Sequence, residues 1–265
     1  MLPFALAWGA GGTIAPWIGS NLQHVFNWQS NFITLAIYAF ILLFCAIHFI
    51  PKQSHKINKN FTMIKNYQVV LTNIGFLNGV IAQSCTLSIF LAFNYYMSFY
   101  MQNVKHYSVV AFGYLSFMAG LSFVLGCILF RITINKINSN RLSISCSIIA
   151  IISSIILMII NYFITLENFI IVIAFTCLLI FCSGVMASEN IGITMMFFPK
   201  NASIASCLHT AIHFLVTSLF MYLLSLFSYS SLFVISSFYF LFILIFVITN
   251  QYCYFKLNKP TEQRI

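Results

Sequence analysis

Residues 201–255 read NASIASCLHTAIHFLVTSLFMYLLSLFSYSSLFVISSFYFLFILIFVITNQYCYF, without one Asp, Glu, Lys or Arg. A helix needs about 20 mostly apolar residues to cross the hydrocarbon of a bilayer. This stretch therefore holds two spans, divided at Ser228–Ser231 (SYSS). Working outward, further uncharged runs occupy 1–51, 66–104, 106–130, 142–166 and 168–188. The first of these also holds two spans, divided at Asn21–Asn31 (NLQHVFNWQSN). The reading predicts an all-α polytopic membrane protein with about eight spans, near 2–20, 32–50, 69–93, 109–130, 142–163, 169–190, 204–226 and 232–253. Composition agrees: 61% of the 265 residues are hydrophobic and 6% are charged, against roughly 25% charged in a soluble domain. So little charge cannot cover a water-soluble globule of this length; lipid is the solvent.

Basic residues orient the spans. Lys52, Lys56, Lys59, Lys65, Arg131, Lys136, Arg141, Lys200, Lys256, Lys259 and Arg264 fall in one set of alternate connections, and Lys105 alone falls in the other. Positive charge stays on the cytoplasmic side, so both termini are expected in the cytoplasm. The net charge of +9 is thereby explained by short flanks of apolar spans, not by a face for nucleic acid. Tyr95, Tyr96, Phe99, Tyr100 and Tyr107 are expected at an outer connection, where amphipathic rings favour the headgroup region. The eight cysteines form no C-x-x-C pair, which leaves neither a disulfide framework nor a metal site. Residues 1–22 lack the positive start of a signal peptide and are interrupted by Pro3, Gly9, Gly11, Gly12 and Pro16.

The first span carries the most specific pattern, Gly11-Gly-Thr-Ile-Ala15-Pro16-Trp-Ile-Gly19-Ser20. Gly11, Ala15 and Gly19 recur every four residues and so share a smooth helix face that permits close approach of a neighbour. Pro16 removes a backbone donor and favours a bend. A bent helix with a flat face can serve as a pivot between two bundles.

Gly11-x3-Ala15-Pro16-x2-Gly19-Ser20 resembles the fifth-helix antiporter motif of the major facilitator superfamily, and its Ala-Pro pair is similar to the form in the Bcr/CflA drug-resistance branch. Phe26-Asn-Trp-Gln-Ser-Asn-Phe32 resembles the entry to the sixth helix, and His48-Phe-Ile-Pro51-Lys52 its end before a basic central loop. Gly126-x4-Arg131 through Arg141, and Asn190-x7-Phe198-Pro199-Lys200 through Ser206, resemble the later loops of that branch. The resemblance implies twelve helices in two halves, with substrate near midplane between them. Matched to helices five to twelve, the chain would divide into 1–50, the last two helices of the first bundle; 51–67, a cytoplasmic loop; 68–253, a six-helix bundle; and 254–265, a tail. The first four helices would then be absent, through gene decay or a misplaced start. The function so implied is proton-coupled efflux of drugs or small molecules by alternating access, in a bacterial cytoplasmic membrane, by a monomer without cofactor or metal. The alternatives are a non-transporting remnant and, further off, an intramembrane enzyme, for which neither H-E-x-x-H nor a nucleophile elbow is present.

An ionisable group inside a membrane is a functional candidate. Glu189 is the one acid within a span, and either binds a coupling proton or faces a solvated vestibule. His209 and His213 share a helix face; they either line a cavity and carry protons or pack as neutral, hydrogen-bonded rings. Thr210 stands where a zinc protease needs Glu. Asn73, Asn78, Gln83 and Asn190 are polar positions within apolar spans and either bond across helices or meet substrate. Gly75 and Gly79 form a G-x-x-x-G pair suited to helix packing.

Overall fold

Hydrocarbon offers a backbone no hydrogen-bond partners, so a chain this apolar forms helices that satisfy their own N–H and C=O groups. The computed structural model describes residues 2–49, 63–163, 169–199, 201–229 and 231–257. They form α1 (Leu2–Phe26), α2 (Gln29–Phe49), α3 (Met63–Leu71), α4 (Ile74–Phe99), α5 (Val109–Thr133), α6 (Ser139–Phe163), α7 (Phe169–Met195), α8 (Ala202–Ser225) and α9 (Leu232–Leu257). All but the short α3 correspond to the eight expected spans. Seven of them, α2 and α4 to α9, are long and apolar enough to cross a membrane; the glycines, Pro16 and tryptophans of α1 leave it less apolar.

Boundaries moved where local chemistry decided them. The first connection shrinks from Asn21–Asn31 to Asn27 and Trp28, because nothing breaks the helix before Asn27, whose φ of 76° is a left-handed conformation that Asn tolerates. Asn73, expected inside a span, instead ends the α3–α4 break. Its side-chain oxygen accepts a hydrogen bond from the Phe76 N–H at 2.9 Å, which satisfies one of the open donors at a helix start. Part of the expected 51–67 loop is helical, since α3 begins at Met63; residues 50–62 lie outside the described set, as do 258–265 of the tail.

The outer aromatic cluster is corrected in part: Tyr95, Phe99 and Tyr107 are exposed, whereas Tyr96 and Tyr100 are not. α4 does not stop before it but runs on through a wider turn, Tyr100–Val104, closed by Lys105 N–H donating to the Tyr100 carbonyl at 3.1 Å. Tyr96 and Tyr100 are 1% and 0% exposed, not at a headgroup surface. The Tyr96 hydroxyl finds the carbonyls of Ser228 and Ser231, at 2.9 and 2.5 Å, in the α8–α9 connection. A backbone carbonyl satisfies a phenol as well as water does, and only folding supplies one there.

α7 lies at the centre, packed on α4, α5 and α6, while α9 closes against α4 and α6, and α8 against α4. The α5–α7 crossing is made backbone to backbone at Gly126 and Gly184: a Cβ on Gly126 would run into the Phe181 carbonyl, and one on Gly184 into the Phe123 carbonyl. Gly75 and Gly79 do pack on a helix as expected, meeting Phe197 and Thr194 at the end of α7. α1 lies along α5 through a face other than Gly11–Ala15–Gly19. Gly11 and Ala15 are exposed and Gly19 looks toward Asn31 of α2. The seam is formed by Thr13 and Ser20, each 5% exposed, set against Gly120 and Gly113 of α5. The small residues that permit the approach are thus on the partner helix. α2 packs against α1 and buries none of its residues, as a lipid-facing helix can, since lipid is as apolar as its Phe, Ile and Leu side chains.

Candidate functional site

Among the described residues, two groups of polar side chains lie on opposite sides of α7. The first lines a cleft between Gln83 and Thr86 of α4, Phe123 of α5, Ala187 and Ile191 of α7, and His209, His213 and Phe214 of α8. About 60 Å³ of it is open to the centre of a water molecule, room for several waters where one needs on the order of 10–15 Å³. Its chemistry comes from α8. Ala205, His209, His213 and Thr217, four residues apart, form the face that α8 buries, and the two imidazoles stand 5.8 Å apart, centre to centre. The facing surface of α4 is built of small hydroxyl residues whose donors are already used. Ser84 donates to the Val80 carbonyl at 2.8 Å and approaches the His213 carbonyl at 3.3 Å; Ser88 donates to the Ser84 carbonyl at 2.7 Å.

The polar groups that remain are enclosed and unpaired. His209 and His213 are 6% and 9% exposed. Among the described residues, His209 Nε2, His213 Nδ1, Gln83 Oε1 and Thr217 Oγ1 have no hydrogen-bond partner. A buried polar atom left unpaired costs on the order of 1–3 kcal/mol, so four in one neighbourhood mark a place that something else satisfies. The alternative of packed, hydrogen-bonded histidines does not fit these two nitrogens. No third His, Cys, Asp or Glu joins the pair among the described residues.

The second site surrounds Glu189, at the end of the bundle that carries the basic connections. The residue is 2% exposed, so its carboxylate does not face a solvated vestibule. One oxygen accepts the Tyr254 hydroxyl; the other accepts from Asn250 Nδ2 at 3.3 Å. Asn250 Nδ2 also lies 3.4 Å from Ser143 Oγ, Asn190 Nδ2 donates to Asn250 Oδ1 at 3.1 Å, and Ser139 Oγ lies 3.1 Å from the Tyr254 hydroxyl. Helix geometry separates this knot from the cleft: Glu189 is two residues from both Ala187 and Ile191, hence about 200° around α7 from each.

Of the sequence candidates, the structure brings Gln83, His209 and His213 together and places Glu189 and Asn190 in the second site. Asn73 is a helix cap, and Asn78 donates to its own helix at the Ile74 carbonyl, 2.8 Å away. Tyr254, Asn250 and Thr217 were missed. Thr217 follows from continuing the four-residue period of the histidines, and Asn250 with Tyr254 from the same spacing in the last span, had Tyr254 not been assigned to the tail.

No curated protein gives a match to the chain. A family model does, over residues 4–221, and that family, described as Major Facilitator Superfamily, consists of membrane transporters. The match reaches from the α1–α5 seam into α8 and so spans every wall of the histidine cleft: the chain belongs to the Major Facilitator Superfamily.

Proposed function

We propose that the chain is a proton-coupled carrier that exports small organic molecules by alternating access, from the cytoplasm of a bacterium across its inner membrane. The single observation that carries the reading is the cleft in which His209 Nε2, His213 Nδ1 and Gln83 Oε1 stand buried and unpartnered. A neutral imidazole accepts a hydrogen bond; a protonated one donates and adds a charge. Substrate held by the neutral pair is expelled when a proton arrives, and release of the proton restores the acceptors. That mutual exclusion is what antiport requires. The α1–α5 seam at Thr13, Ser20, Gly113 and Gly120 is the proposed sliding surface, with the basic connections in the cytoplasm. Glu189 is proposed as a structural carboxylate of the α6–α7–α9 packing; it lies on the far side of α7 from the cleft.

The test is accumulation of a fluorescent dye in an efflux-deficient strain, with and without a proton gradient. The expected result is gradient-dependent loss of dye that His209→Asn and His213→Asn abolish and Glu189→Gln retains. Dye levels identical to the empty vector at equal expression refute the carrier; retained export in the histidine variants refutes the proton site.

A further inference from the structure

We infer that the cleft selects uncharged molecules that donate hydrogen bonds, and excludes permanent cations. The inference rests on the carrier reading for its physiological meaning but concerns binding, which can be measured alone. Among the described residues the faces that α4, α5 and α7 turn toward the histidines carry Gln83, Thr86, Leu87, Phe123, Ala187 and Ile191, with neither an acid nor any other titratable group. α3 adds Tyr67, packed in an apolar cluster with Val70 and Phe76 near the start of α8.

A cation entering this low-dielectric space would lose its hydration and find no countercharge. The nearest buried acid is of no help: both Glu189 oxygens are occupied by Tyr254 and Asn250, around the other side of α7. What its walls hold instead is unpaired but enclosed acceptor capacity, at Gln83 Oε1 and at whichever imidazole nitrogens carry a lone pair. Phe123 and Phe214 supply apolar walls beside it. A neutral aromatic alcohol, phenol or amide fits all three features. An anion fits only after protonation of the pair, which would make it travel with the proton and not against it.

The experiment uses the full chain, purified in lipid nanodiscs at pH 7.5, and four probes sharing a fluorescent naphthalene core: 2-naphthylmethanol, its methyl ether, the corresponding trimethylammonium and 2-naphthoate. The expected order has the alcohol tightest, with the ether about five- to tenfold weaker, the loss of one hydrogen bond, and the two ions weaker still. Gln83→Leu should bring the alcohol down to the level of the ether. Gln83→Glu, nearly isosteric, should admit the trimethylammonium probe; it also covers the case in which the leucine variant fails to fold. Equal binding of alcohol and ether, tighter binding of either ion to the wild type, or no binding by any probe overturns the inference. Alcohol binding without proton-driven transport upholds it and refutes the carrier reading; proton-driven export of a cation does the reverse.

Discussion

Gly120→Ala introduces a methyl carbon at the α1–α5 seam, 2.6 Å from the Thr13 Cα and 2.8 Å from its Cβ. Carbon atoms in good contact are about 3.5–4.0 Å apart, so the two helices must part by roughly 1 Å. A rotamer change can turn away the nearest atom, Thr13 Oγ1 at 2.4 Å, but not Cα and Cβ, which the main chain fixes in place. Overpacking of this kind costs about 1–3 kcal/mol, or roughly a five- to 150-fold fall in the docked-to-undocked ratio of α1. The chain supplies its own reporter: its tryptophans, Trp8, Trp17 and Trp28, all precede residue 29, and the Trp17 ring lies 5.9 Å from Phe117 of α5. Thermal unfolding in detergent, followed by tryptophan emission, should therefore show α1 releasing earlier in Gly120→Ala. Gly192→Ala is the control, with nothing within 4 Å of the added carbon and a small gain in helix propensity expected. Adding Thr13→Ala to Gly120→Ala should restore little, since the obstructing Cα and Cβ remain. A Gly120→Ala transition at the wild-type temperature, or full rescue by Thr13→Ala, would refute a seam held by main-chain contact.

Tyr254→Phe removes the hydroxyl that donates to Glu189 and leaves a buried carboxylate short of a partner, with an expected loss of about 1–3 kcal/mol. A thiol-reactive dye reading the exposure of the buried Cys146, Cys182 and Cys253 on heating measures it, and Glu189→Gln should make the same change milder if the charge is the cause. Asn73→Ala deletes the α4 cap and should cost about 1 kcal/mol in the same assay; Asn73→Asp, which keeps the acceptor, should not. Reporter fusions at Lys105 and Lys136 should fall on opposite sides of the membrane, with Lys136 in the cytoplasm, as the basic-residue asymmetry predicts; the same side for both would undo the span assignment.

Much of the fold was legible because crossing a membrane is a local property. Length and absence of charge mark each span, and short polar breaks such as Ser228–Ser231 or Asn27 end it, whatever else the chain does. The rotation of each helix about its own axis is a different matter. A span apolar on all sides carries no amphipathic stripe to say which face looks inward, and lipid does not penalise the wrong choice as water would. That is why the face by which α1 meets α5, at Thr13 and Ser20, was not legible, and why Tyr96 was placed at a surface when a carbonyl at residue 231 awaited it.

The site divides along the same line. His209 and His213 could be read as one face from their spacing alone, because a helix fixes four-residue neighbours by its own geometry. That Gln83 stands opposite them with its oxygen unpaired, while Glu189 is turned away and bound by Tyr254 and Asn250, depends on how four helices are phased and packed. Residues 83, 189, 209 and 254 are far apart in the chain, and only tertiary contact decides which polar atoms satisfy one another and which are left unpaired.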